Sequence, residues 1–290
     1  MAQNSRLQKL LEIVEEYPQE SYNQIIAKQK DWMMLYHLSE LRRNVVEWLP
    51  IRTGENVLEI GSGCGALTGL FAGRAKCVVG IEANRELNHI NEVRCRENQN
   101  VSLHCGNYEQ IKPMLTEKFD WVIAVDNFME SAGEQKQENY LSEFLKSVTD
   151  HLKPEGHIVL ALPNRLGMKY FSGCAEAKTG KFFEGIEGYL STDTVFSYSK
   201  TELIEQIETA GEYDMEFYYP YPDHIFAMSI YSDEYLPKLG ELRTNHNNFD
   251  RARLELFDET EAFDGVIKSG LFPQFANSFL VVLTWRGKHE

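Results

Sequence analysis

The apolar positions of the chain fall into two registers. Residues 5–17 carry Leu7, Leu10, Leu11 and Val14 at the spacing of one helical face, and the run stops before Pro18. Residues 38–49 repeat the pattern with Leu38, Leu41, Val45, Trp48 and Leu49, stopped by Pro50, which predicts a second helix. From residue 56 the pattern changes. NVLEI (56–60), CVVGIE (77–82), VSLHC (101–105), DWVIAV (120–125) and HIVLAL (157–162) are short, nearly continuous apolar runs. Strands of this kind are covered on both faces, and their alternation with amphipathic helices means a parallel sheet. The intervening helices run from the capping residue Asn84 to about Glu97, and over 137–152, where Tyr140, Leu141, Phe144, Leu145, Val148 and Leu152 form one stripe. Another opens at Ser199, whose capping box closes with Glu202, and continues through TELIEQIETAG. EFYYPYP (216–222) and FLVVLTW (279–285) supply the last two strands.

The expected fold is therefore α/β: a Rossmann-like sheet of seven strands with helices on both faces and an antiparallel last strand. Residues 1–50 are expected to form a helical cap. Residues 51–290 form the main domain, with insertions at about 163–198 and 223–278 that exceed ordinary connection lengths. Parallel strands leave a sheet at their carboxyl ends, where open α/β folds bind ligands. Both insertions depart from that edge, and Tyr36 and His37 are expected there too, so three segments converge on one mouth.

Charge narrows the partners. The net charge is −15, from 44 acidic and 29 basic side chains. Such a surface repels phosphate backbones and anionic bilayers, so neither nucleic acid nor membrane is expected as a partner. VLALP and FLVVLTW are strand-sized, far short of a bilayer span, and the N-terminus lacks the apolar core of a signal peptide. Cys64, Cys77, Cys95, Cys105 and Cys174 show no CxxC pair and no metal-ligand spacing. That predicts reduced thiols, no metal and a cytoplasmic setting.

The chemistry concentrates in VLEIGSGCGALTGLF (57–71). Gly61, Gly63 and Ala66 satisfy a GxGxxG/A turn that follows a strand and opens a helix. Glu82, at the end of the next strand, can accept both hydroxyls of a ribose. The ligand therefore contains adenosine, and no Lys-Ser/Thr pair follows that would make a phosphate loop. Glu59 separates the candidates. A pyrophosphate over the turn would be repelled by this strand carboxylate, whereas S-adenosylmethionine offers a sulfonium and an ammonium. A terminal strand–excursion–strand also replaces the second mononucleotide half of a dinucleotide fold. Two alternatives stay open on these residues: an NAD(P)-dependent oxidoreductase, and an S-adenosylmethionine-binding partner subunit without chemistry of its own.

Glu59-Ile60-Gly61-Ser62-Gly63-Cys64-Gly65 resembles the first motif of class I S-adenosylmethionine-dependent methyltransferases, and GIEAN (80–84) resembles their ribose-binding motif. GNYEQI (106–111) lies where that family carries an acid near the adenine; here the position is Asn107, which leaves an amide. VDNFME (125–130) occupies the fourth-strand site nearest the transferred methyl and lacks the Asn-Pro-Pro-Tyr/Phe pattern of DNA and glutamine N-methylating enzymes. A narrower resemblance spans most of the chain. LPNRLGMKYFSGC, FFEGIEGY, FYYPYPD and GLFPQFANSFLVV are similar to bacterial methyltransferase-like proteins associated with surface-polysaccharide glycosyltransferases. It implies a methyltransferase sheet, a small-molecule or glycan-precursor acceptor, and a glycosyltransferase as partner.

These readings assign Tyr36, Glu59, Gly61, Ser62, Gly63, Glu82, Ala83, Gly106, Asn107, Tyr108 and Asp126 to the cofactor. Ser39 and Arg43 join Tyr36 as candidates for the donor's carboxylate. Asp126, His37 and His224 are the candidate catalytic groups, since an oxygen acceptor needs a base. For Asp126 the competing role is capping the next turn; for the histidines it is satisfaction by backbone. Asn164 and Arg165 are placed to reach the acceptor, and Phe217, Tyr218, Tyr219 and Tyr221 could stack on a sugar or belong to the core. Oligomeric state and acceptor atom are left open.

Overall fold

The computed structural model describes residues 2–126, 139–192, 197–243 and 253–287. Residues 1–133 with 151–156 cluster as one unit, and 134–150 with 157–290 as another.

In the first unit the amphipathic start forms α1 (Ala2–Glu16), followed by α2 (Tyr22–Gln29) and α3 (Trp32–Leu38). Leu7, Leu10, Val14, Tyr22, Met34 and Leu38 bury against Cys64 and Ile90. Each such side chain contributes roughly 1.5–3 kcal/mol, which seats the N-terminal helices firmly on the glycine turn's flank. The helix expected over 38–49 is not one helix. α3 ends at Leu38, Ser39 is extended (ψ 133°), and its side chain caps a separate 3₁₀ turn, Glu40–Val45. A serine accepting the Leu41 N–H competes with continuation of the helix through it.

Then come β1 (Asn56–Ile60), α4 (Thr68–Ala72), β2 (Cys77–Glu82), α5 (Arg85–Arg94), β3 (Val101–Cys105), α6 (Tyr108–Ile111) and β4 (Phe119–Val125). The strand order is β3-β2-β1-β4, all parallel, with Glu59 in register with Gly80 and Glu82 with Cys105. Asn84 caps α5 as expected, accepting from Glu86 and Leu87. The motif VDNFME is described only to Asp126, and the first residues of the helix expected over 137–152 also lie outside the described residues.

The second unit holds α7 (Tyr140–Thr149), β5 from His157 (the strand runs Leu152–Pro163), α8 (Lys200–Ala210), β6 (Tyr213–Tyr221), β7 (Ser229–Ser232), α9 (Glu259–Lys268) and β8 (Ser278–Trp285). Leu141, Phe144, Leu145 and Val148 are the buried stripe of α7, and Ser199 with Glu202 caps α8 reciprocally. β8 runs antiparallel to both β5 and β6. The described residues contain eight strands, not seven: β7 pairs antiparallel with β6 inside the 223–278 excursion. Four residues, SIYS, are too short to announce a strand by alternation.

Candidate functional site

The turn after β1 is built from left-handed glycines. Gly61, Gly63 and Gly65 sit at φ 79°, 52° and 74°, a region open chiefly to glycine. Gly61 and Ser62 donate to the Ile81 carbonyl at 2.9 and 3.1 Å, tying the turn to β2. Glu82 is then fixed by backbone, accepting from Gly63 N–H and Asn84 N–H at 2.8 Å each. A cavity of about 280 Å³ opens beside these residues; Glu59, Gly61, Ser62, Gly63, Glu82 and Ala83 line it, together with Tyr36, His37 and Arg42. A Cβ on Gly63 would meet nothing within 4 Å, so this glycine faces open space.

Glu59 is 3% exposed. Thr68 Oγ1 donates to its Oε2 at 2.6 Å. Burial, with the nearby Glu82 charge, pushes its carboxyl up to about 8, although Thr68, Arg94 and Arg42 pull the other way. The site therefore holds an acid whose ionised form waits for a positive charge. Arg42 shows the opposite need: its Nε and Nη1 are buried with no hydrogen-bond partner among the described residues, as is Ser62 Oγ. Buried orphan donors are expensive and mark where an anionic or carbonyl group belongs.

At the exit of β4, Asp126 adopts φ 64°, a strained conformation for a residue with a side chain and a recurrent mark of functional positions. Tyr36 donates a short hydrogen bond to its Oδ2, and Arg42 Nη2 lies 3.8 Å from the same oxygen. The Arg42 guanidinium also covers the Tyr36 ring at 4.3 Å. His37 packs edge-on to that ring at 4.8 Å. Burial, then repulsion from Arg42 and Arg94, lowers its imidazole to about 3 despite Asp126. It is neutral at physiological pH and a poor general base. Arg94 braces the wall from behind, donating to the carbonyls of His37 and Cys64 at 2.9 and 3.2 Å.

Other expectations land differently. Gly106, Asn107 and Tyr108 are not among the residues lining this cavity. Asn107 uses its side chain in a capping box with Gln110, and Tyr108 is fully buried core. Arg43 pairs with Glu40 at 3.6 Å, and Ser39 is the cap described above; the cationic wall is Arg42. In the second unit, His224 is buried and its backbone N–H donates to Ser278 Oγ. Asn164 spends its amide on the Gln274 and Ala276 carbonyls and the Leu166 N–H. Arg165 is committed bidentately to Glu202. Phe217, Tyr219 and Tyr221 are core, packed edge-on against Phe279, Phe272 and Phe263. Arg42 and Arg94 were the residues least visible in advance; the only signal was the basic pair at 42–43.

Among the described residues no helix is long and apolar enough to cross a membrane, and no group of three or more His, Cys, Asp or Glu could hold a metal ion. All five cysteines are free thiols.

Residues 57–156 match the family described as methyltransferase domain. No curated protein matches the chain. Among solved structures, a Haloferax volcanii chain from a complex with the Trm112 methyltransferase activator is 16% identical, with 94% of this chain and 99% of that one covered at a TM-score of 0.50. Phosphoethanolamine N-methyltransferase 1 of Haemonchus contortus, solved with phosphoethanolamine and S-adenosylhomocysteine, is 15% identical, covering 94% of this chain and 50% of that one, also at 0.50. At such identities the likeness is one of fold. The buried acid at Glu59, the fixed Glu82 and the orphan donors of Arg42 fit a zwitterionic adenosyl sulfonium, and a dinucleotide's pyrophosphate does not suit the carboxylates. Residues 57–156 are thus the methyltransferase domain of an enzyme whose cofactor is S-adenosylmethionine.

Proposed function

We propose that this enzyme methylates a small-molecule or glycan-precursor acceptor, with Asp126 as the group that receives the acceptor's proton. The observation that carries this reading is the grouping of Asp126, Tyr36 and Arg42 at the end of β4. Tyr36 and Arg42 hold one oxygen of Asp126, so the carboxylate stays oriented. Bound S-adenosylmethionine supplies an electrophilic methyl on its sulfonium. Glu59 then provides the counter-charge, Glu82 takes the ribose hydroxyls, and Arg42 with Ser62 takes the donor's carboxylate. Because the displacement is in line, the chain's work is chiefly positioning and exclusion of water. His37, neutral and half-buried, serves as wall rather than base.

The glycan-precursor class and a glycosyltransferase partner rest on the sequence resemblance, and a cytoplasmic setting rests on the unpatterned cysteines and the N-terminus without a signal-peptide core. The test is calorimetric titration with S-adenosylmethionine, S-adenosylhomocysteine, NAD and NADP, followed by turnover assays on sugar nucleotides and glycan precursors. Binding of the first two alone with methyl transfer to a glycan precursor is the expected result. Transfer only to an unrelated class of acceptor refutes the acceptor assignment, and donor binding without turnover on any acceptor refutes the catalytic one.

A further inference from the structure

Behind Glu59 runs a chain of buried polar groups that the proposed chemistry does not use. Cys95 Sγ, at the C-cap of α5, donates to Asn91 Oδ1 at 3.3 Å. Asn91 Nδ2 donates to Thr68 Oγ1 at 3.0 Å, and Thr68 donates in turn to Glu59 Oε2. Asn91 and Thr68 are both fully buried.

We propose that Asn91 is a positioning residue of the donor site: acting through Thr68, it decides which oxygen of Glu59 answers the donor's positive charge. The direction of each bond follows from the chemistry of its members. Burial, and the Glu59 charge beside it, raise the Cys95 thiol to about 11, so it remains an S–H donor. Asn91 Oδ1 is thereby an acceptor, which turns Nδ2 toward Thr68. A hydroxyl has one proton; with a donor already arriving from Asn91, Thr68 must send its own to Glu59. Oε2 is an acceptor whether or not Glu59 is ionised, and proton exchange is confined to Oε1. The glycine turn is shaped around the same device. A Cβ on Gly65 would collide with Asn91 Oδ1, so the third glycine of the motif leaves room for the amide. The other charged groups around Glu59 are Glu82 on β2, Arg94 on α5 and Arg42 from the N-terminal segment; substitution at Asn91 leaves all three in place.

This inference rests on the donor reading above, and the experiment separates the two. Wild type, Asn91→Leu and Thr68→Val are titrated calorimetrically with S-adenosylmethionine from pH 6 to pH 9, with melting curves as the check on folding. Failure of the wild type to bind overturns the donor reading itself. If wild type binds, its affinity should climb toward pH 8 as Glu59 ionises. Without the amide, the Thr68 hydroxyl is free to turn away, and Glu59 gives up its proton at still higher pH. A midpoint moved by about one pH unit makes Asn91→Leu bind about tenfold more weakly than wild type at pH 7 and only about twofold at pH 9. The donor's own titration cancels in that ratio. Thr68→Val should show the same narrowing, and Thr68→Ser should restore the wild-type profile. A ratio constant across the pH range in the folded variants, or no loss at all, overturns the proposal. Should Asn91→Leu fail to fold, the pair at Thr68 decides it by the same criterion.

Discussion

Replacing Glu59 by Gln should make the unliganded protein more stable while disabling its donor site. The carboxyl is raised from 4.5 to about 8, chiefly by burial. Between those values the folded state holds a proton that the unfolded state has released. The group's contribution is therefore fully present below pH 4.5 and is lost as pH rises through the folded midpoint. At 1.36 kcal/mol per pH unit the whole span is about 5 kcal/mol, of which about 3 kcal/mol falls between pH 5.5 and pH 8. Glutamine keeps the acceptor for Thr68 and never ionises, so it should behave like protonated Glu59 at pH 5.5 and escape the loss at pH 8. With 2–4 °C per kcal/mol for a unit of this size, the variant should melt about 9–17 °C above wild type at pH 8 but only about 3–6 °C above it at pH 5.5, where ionisation of the unfolded state has so far cost the wild type about 1.4 kcal/mol. Differential scanning calorimetry at the two pH values measures this directly. Saturating S-adenosylmethionine should close the gap at pH 8 by stabilising only the wild type. Equal differences between the proteins at both pH values would refute the reasoning, because the penalty would then not come from ionising a buried acid.

Four further outcomes are expected. Glu82→Ala should weaken S-adenosylmethionine binding by roughly ten- to a hundred-fold, the loss of charge-assisted bonds to the ribose; calorimetry showing unchanged affinity would remove Glu82 from the donor site. Arg42→Met should weaken S-adenosylmethionine and S-adenosylhomocysteine alike by about tenfold or more, with Arg43→Met close to wild type, since Arg42 brings two buried unpartnered nitrogens to the cavity and Arg43 does not line it. Asp126→Asn should lower kcat far more than it raises the donor's Kd; a Kd raised as much as kcat is lowered would make Asp126 a structural residue. Gly65→Ala, forced to φ 74° against Asn91, should cost about 2–3 kcal/mol in urea denaturation.

Continuous apolar strands, the glycine turn, Glu59 and Glu82 were legible because each depends on local pattern or on a motif whose neighbours in sequence are its neighbours in space. The caps Asn84 and Ser199 were legible for the same reason. Arg42 was not. Whether residue 42 or 43 faces the cavity depends on the phase of the segment, and Ser39 replaces a 3.6-residue helix with a separate 3₁₀ turn, which rotates every following side chain. Asn107 carried a readable warning in Asn-x-x-Gln, a capping pattern that consumes the side chain expected at the adenine. His37 lines the cavity, as expected, and the burial and the Arg42 and Arg94 charges that lower its imidazole to about 3 are three-dimensional facts that no local pattern announces. Phe217, Tyr219 and Tyr221, on one face of their strand, are core because Phe279, Phe272 and Phe263 cover their rings, contacts far away in sequence; Tyr218, on the other face, is only half-buried.

Gly63 and Gly65 look interchangeable in the motif and answer to different partners. Gly63 borders open space, whereas Gly65 is held small by the amide of Asn91. Gly65 is therefore glycine for two reasons, its left-handed backbone and the Asn91 amide, and a smaller residue at 91 would relieve only the second. A motif search that demands all three glycines asks two unrelated questions at once, one about the ligand and one about a side chain twenty-six residues away.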